Sequence, residues 1–156
     1  MELKRSTLRQ RLSCGTCAIA LVCTLSLYKS NVAANPLSAA QNHWSAIAAA
    51  NPELLVTRYS DHAVLKRSYG ATDVEEVYQG QSIYSAWQQF FSQYQVQDFQ
   101  VLSQQRRDHS VEAQIQITAQ SNQGQLVVLS MSYQVKFDAN GKIIEEVWQA
   151  NPEQSV

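Results

Sequence analysis

The chain has 156 residues, of which 45% are hydrophobic and 16% charged, with 12 basic and 13 acidic side chains and a formal net charge of −1. That length suits one domain with a core of its own. Five of the basic residues (Lys4, Arg5, Arg9, Arg11, Lys29) but only Glu2 among the acids fall in the first 34 positions, so the remainder holds 7 basic against 12 acidic residues, a net charge of −5. A mildly acidic domain argues against nucleic acid or an anionic membrane surface as partner.

Residues 1–34 read as an export signal. Met1 to Arg11 is basic, Leu12 to about Leu27 is apolar, and Val32-Ala33-Ala34 offers small residues ahead of a cut before Asn35. The apolar run is shorter than the roughly 20 residues that span a bilayer. An uncleaved signal anchor tethering the protein to the membrane is the alternative. Cys14, Cys17 and Cys23 all lie in this segment. The mature chain, 35–156, is therefore expected without a disulfide, a thiol nucleophile or a thiolate metal site.

A first helix is expected over about Leu37–Ala50, with Trp44, Ile47 and Ala48 as its apolar face. Asn51-Pro52 stops it and opens a second helix to about Tyr59, presenting Leu54, Leu55 and Tyr59. Ser60-Asp61-His62 breaks that helix, and Ala63–Tyr69 reads as a first strand closed by Gly70. After a polar loop, Val77-Tyr78 makes a short strand. The helix within Tyr78–Tyr94 organises the chain: Ile83, Trp87, Phe90, Phe91 and Tyr94 share one face, and Gln and Ser fill the other. Gly80 lets the chain bend just before it. From Val96 the period changes to two. Strands are expected near Gln97–Gln105, through Val111–Thr118, through Val127–Phe137 and over Lys142–Gln149, with one dry and one wet face. Arg106-Arg107 reads as a solvated turn. Ser121-Asn122-Gln123-Gly124 and Asp138-Ala139-Asn140-Gly141 read as hairpin loops. Helices first and an antiparallel meander after define an α+β arrangement.

Three stretches resemble the nuclear-transport-factor-2-like (NTF2-like) superfamily, in particular its SnoaL-like bacterial branch. They are Arg58–Leu65, Tyr78–Gly80 with Trp87–Phe91, and Tyr133–Trp148, within a resemblance covering about Gln41 to Gln149. The resemblance implies a cone-shaped fold, a curved, mostly antiparallel sheet wrapped around the N-terminal helices, often with a pocket at the open end and often dimeric. Its members include isomerases, cyclases, ligand binders and assembly modules, so fold leaves function open. The steroid isomerases of the family carry an aspartate base on the first strand, where this chain has Arg67-Ser68. They also use a tyrosine on the first helix, where this chain has Trp44. The epoxide hydrolases use an Asp-Arg-Asp set on late strands, and no arginine follows Leu126 here. Neither activity carries over.

Asp61-His62 is a conceivable acid–base pair but reads better as a helix end and turn, because adjacent residues do not face each other. Glu145 and Glu146 are neighbours on the last strand, so one faces the cone and the other the back of the sheet. An inward Glu with Arg67 makes the most interesting pair, able to fix a carboxylate- or carbonyl-bearing ligand. The bland alternative is a Glu paired with Lys66 or Arg67, or solvated. Tyr59, Arg67, Tyr69, Trp87, Glu145 and Glu146 form the candidate ligand-binding set. His43, His62 and His109 show no ligand spacing, and neither metal nor cofactor is expected. The leading functional expectation is an exported, periplasmic or extracellular domain that binds a small, largely apolar molecule in the cone without catalysis. A lyase or isomerase using Arg67 and the inward Glu, and a homodimeric protein-interaction module of the cell envelope, are the alternatives.

Overall fold

The computed structural model describes residues 35–68 and 74–150. The expected export signal and Tyr69 lie outside the described residues. Two Asn-Pro pairs open the first two helices. Asn35 caps α1 (Pro36–Ala48), its Oδ1 accepting from the Leu37 amide at 3.1 Å, and Asn51 caps α2 (Pro52–Val56) by accepting from the Leu54 amide at 2.8 Å. In both, proline occupies the first turn, where a missing N–H costs nothing. α1 buries Ala40, His43, Trp44, Ala46 and Ile47 and leaves Ala48 exposed. Its dry stripe thus runs through a histidine rather than ending on the alanines.

β1 (Tyr59–Ser68) begins four residues before the expected strand. Tyr59 to His62 belong to this strand and not to a helix end. Its pairing with β6 (Ile143–Ala150) holds Tyr59 opposite Ile143, and an irregularity before Val64 leaves both Asp61 and His62 exposed. β2 (Glu75–Gln79) follows, and Gly80, at φ +56°, makes the bend into α3 (Gln81–Gln93). α3 buries Ile83, Ala86, Trp87 and Phe90, with Phe91 and Tyr94 half-buried at its edge. Burying each large side chain stabilises the fold by about 1.5–3 kcal/mol gross.

β3 (Tyr94–Arg107), β4 (Ser110–Ser121) and β5 (Leu126–Phe137) complete a six-stranded sheet of order β2-β1-β6-β5-β4-β3. Arg106 and Arg107 end β3, and the turn falls on Asp108-His109, with Asp108 at φ +41°. Every pairing is antiparallel except β1 with β6, which is parallel. The sheet is curved and unclosed. α1 lies against β3, β4 and β5, and α3 against β2, β3 and α2. Strand alternation puts Val111, Ala113, Ile115, Ile117, Met131, Tyr133 and Val135 into the core beneath the helices.

Candidate functional site

The last strand decides what the interior contains. In register with β1, Leu65 faces Glu146 and Arg67 faces Trp148, so Glu146 and Trp148 point inward. Glu145 points to the outer face, where Lys66 meets it at 3.1 Å and Lys136 pairs with it as well. Both lysines pull the Glu145 carboxyl below its ordinary range.

Glu146 is fully buried. An unpaired carboxylate there would be far too costly to keep. Three side chains from three elements answer it. His43 of α1 reaches Oε1 through Nε2 at 3.0 Å, Trp148 donates its indole N–H to Oε1 at 2.9 Å, and the Tyr59 hydroxyl donates to Oε2. Burial by itself raises the carboxyl's pKa. The His43 imidazole and the three hydrogen bonds outweigh burial, and the net direction is down, so Glu146 is ionised at neutral pH. Tyr59 shows the complementary effect. Burial first, and then the Glu146 charge, push its hydroxyl well above its ordinary value, which keeps it a donor. Tyr59 in turn accepts from the Trp87 indole N–H at 2.9 Å. The His43 ring stands edge-on to Tyr59 and Trp87 at 5.5 and 6.2 Å.

On the other side of Trp87 sits Arg67. Its guanidinium carbon lies 4.5 Å from the Trp87 ring centroid, 5.7 Å from that of Phe90 and 5.8 Å from that of Tyr78. Arg67 is only 5% exposed, yet it makes no ion pair among the described residues. Nη1 donates to the Ala86 carbonyl at 3.3 Å, and Nη2 is buried with no acceptor. A buried charge without a counter-charge costs several kcal/mol, and three aromatic faces return only part of that.

Arg67 lines three cavities. One is an apolar hole of about 20 Å³ between Trp87, Phe90, Ile117, Met131 and Trp148, room for one water or one methyl group. The second is a cleft of about 280 Å³ between α3 and β2, where Tyr78, Phe90 and Tyr94 join Arg67, and the third, of about 240 Å³, is a polar space where Lys66, Ser68, Glu75 and Gln149 join it. The depth of the cone is therefore filled by side chains, and the larger space opens beside it.

Of the six candidates, Tyr59, Glu146 and Trp87 are joined by hydrogen bonds, and Arg67 packs on Trp87 from the far side. Arg67 and Glu146 both face inward but do not pair with each other. Glu145 lies on the opposite face of the sheet, and Tyr69 is outside the described residues. His43 and Trp148 were missing from the set. The signal for His43 was its place between Ala40 and Ile47 on the apolar stripe of α1, and for Trp148 its same-face spacing two residues after Glu146. Among the described residues no three His, Cys, Asp or Glu side chains come together as a metal would need.

No protein-family model matches the chain, and no curated protein matches it in sequence. Solved structures do. A protein assigned as an isomerase from Bacillus subtilis superposes with a TM-score of 0.66 at 15% identity, over 76% of this chain and 87% of that one. A hypothetical protein of ketosteroid isomerase-like fold from Catenulispora acidiphila, solved with trimethylamine, gives 0.62 at 11% identity over 70% and 82%. A protein assigned as a SnoaL-like polyketide cyclase from Shewanella denitrificans gives 0.59 at 19% identity over 76% and 91%. The chain thus has the α+β, NTF2-like cone fold that these solved structures share.

Proposed function

We propose that this protein binds a small, largely apolar molecule without transforming it, in the cleft between α3 and β2 rather than in the depth of the cone. The observation that carries this is Arg67, a buried cation that lacks a counter-charge among the described residues and borders an aromatic cleft of about 280 Å³. That volume is below the usual range for drug-sized ligands and suits a molecule of roughly ten heavy atoms. Trimethylamine in the structural neighbour from Catenulispora acidiphila supports small-ligand binding on this architecture.

An acid–base role for Glu146 has less support. Both of its oxygens already accept hydrogen bonds from the protein, so a substrate proton would have to displace Tyr59, His43 or Trp148. We place the binding outside the cytoplasm, on the strength of the basic and then apolar order of residues 1–34.

Native mass spectrometry of the protein purified from its own cells tests the proposal. A co-purifying small molecule that disappears in a folded Arg67→Gln variant is the expected result. The bare polypeptide mass, with no thermal shift in a screen of small organic molecules, would overturn it.

A further inference from the structure

The surroundings of Arg67 define the charge of the ligand. Three rings, Tyr78, Trp87 and Phe90, surround its guanidinium at 4.5–5.8 Å. An arrangement of aromatic faces like this attracts cations, quaternary and tertiary ammonium groups above all. Here the protein's own cation already occupies it. A second cation entering the cleft would meet Arg67 and be repelled. An anion in the cleft would be drawn to the Arg67 charge that borders it, and a planar carboxylate matches the guanidinium fork.

Resting on the binding proposed above, we infer that the cleft takes a small monocarboxylate with an apolar or aromatic tail. The carboxylate pairs with Arg67, and the tail lies against Tyr78, Phe90 and Tyr94. The acid nearest Arg67 in the strand register is Glu76, directly opposite it on β2. Glu76 is exposed, its Oε2 accepts from the Tyr78 hydroxyl at 2.7 Å, and it forms no direct ion pair with Arg67. It does line the cleft and opposes an incoming anion.

Three ligands of one shape and different charge make the test: phenylacetate, its neutral amide phenylacetamide, and phenethylammonium, titrated calorimetrically into the purified protein. Phenylacetate is expected to bind about tenfold or more tightly than the amide, the ratio that one hydrogen bond to a charged group supplies. The ammonium compound is expected to bind weakest. Arg67→Gln should erase the preference for carboxylate over amide. Glu76→Gln changes an exposed side chain and should tighten phenylacetate by about two- to fivefold through lost repulsion, which decides the matter even where Arg67→Gln fails to fold. Equal binding of all three, tighter binding of the amide or the ammonium, or weaker phenylacetate binding in Glu76→Gln would overturn the carboxylate assignment while leaving small-molecule binding in place. Binding of none of the three would also overturn the assignment, and the broader proposal would then be decided by the mass of what co-purifies.

Discussion

Glu146 keeps its charge in the interior because His43, Tyr59 and Trp148 all reach it. Replacing it with Ala strands three buried polar groups, each costing about 1–3 kcal/mol. A loss of at least about 3 kcal/mol in equilibrium urea unfolding is the expected outcome. Tyr59→Phe removes both the donor to Glu146 and the acceptor for Trp87, and should cost about 1–3 kcal/mol by the same measurement. The pH dependence has a definite sign. The folded pKa of Glu146 lies below the ordinary 4.5, so the unfolded chain takes up its proton first as the pH falls. The stabilisation is complete above about pH 4.5 and drains away as the pH drops through the lower folded value. Glu145 contributes in the same direction, so the measurement should be made in Glu145→Gln, where an acid-side fall in urea midpoint should persist. An acid limb that vanishes with Glu145 would contradict the role given to Glu146. The alternation of β6 shows in the sequence that one of the two glutamates faces in. Which one depends on pairing with β1 across about eighty residues, and a one-residue slip would exchange them.

The element that organises the core is α3. Its apolar spacing shows in the sequence, and the structure buries the expected Ile83, Trp87 and Phe90. Trp87 has two roles: its N–H holds Tyr59 and its face carries Arg67. Trp87→Ala should therefore cost at least about 3–5 kcal/mol, the usual loss for a buried tryptophan, visible as a strongly lowered melting temperature. Gly80→Ala meets no neighbouring atom but must hold φ +56°, and should cost about 1–3 kcal/mol through strain alone. The junction of α2 and β1 was less legible. Leu54, Leu55 and Tyr59 have helical spacing, yet the helix stops at Val56 and Tyr59 opens a strand. What overrides local propensity there is tertiary: β6 pairs with the chain at Tyr59, and the Tyr59 hydroxyl is held by Glu146.

At the scale of the whole molecule, period-two alternation from β3 to β6 specifies a sheet, and helices placed ahead of it specify α+β. The parallel pairing of β1 with β6, which brings Arg67 beside Trp148, has no local signal. Nor has the filling of the cone, since it follows from the summed volumes of side chains that meet only after folding. The sequence marks Arg67 as unusual for its place but does not show that it lacks a counter-charge among the described residues. That shortage is the centre of the proposed function, in which Arg67 serves a ligand and not the fold. Replacing a buried ion pair with apolar side chains of similar volume is often neutral or stabilising by about 1–4 kcal/mol, a charge without a partner has less attraction to lose, and a methionine thioether packs well among aromatic rings. The most direct test is the equilibrium urea unfolding of Arg67→Met beside the unmodified protein. A midpoint equal to or higher than that of the unmodified protein is predicted. A loss of more than about 3 kcal/mol would show that Arg67 serves the core itself and would contradict the account.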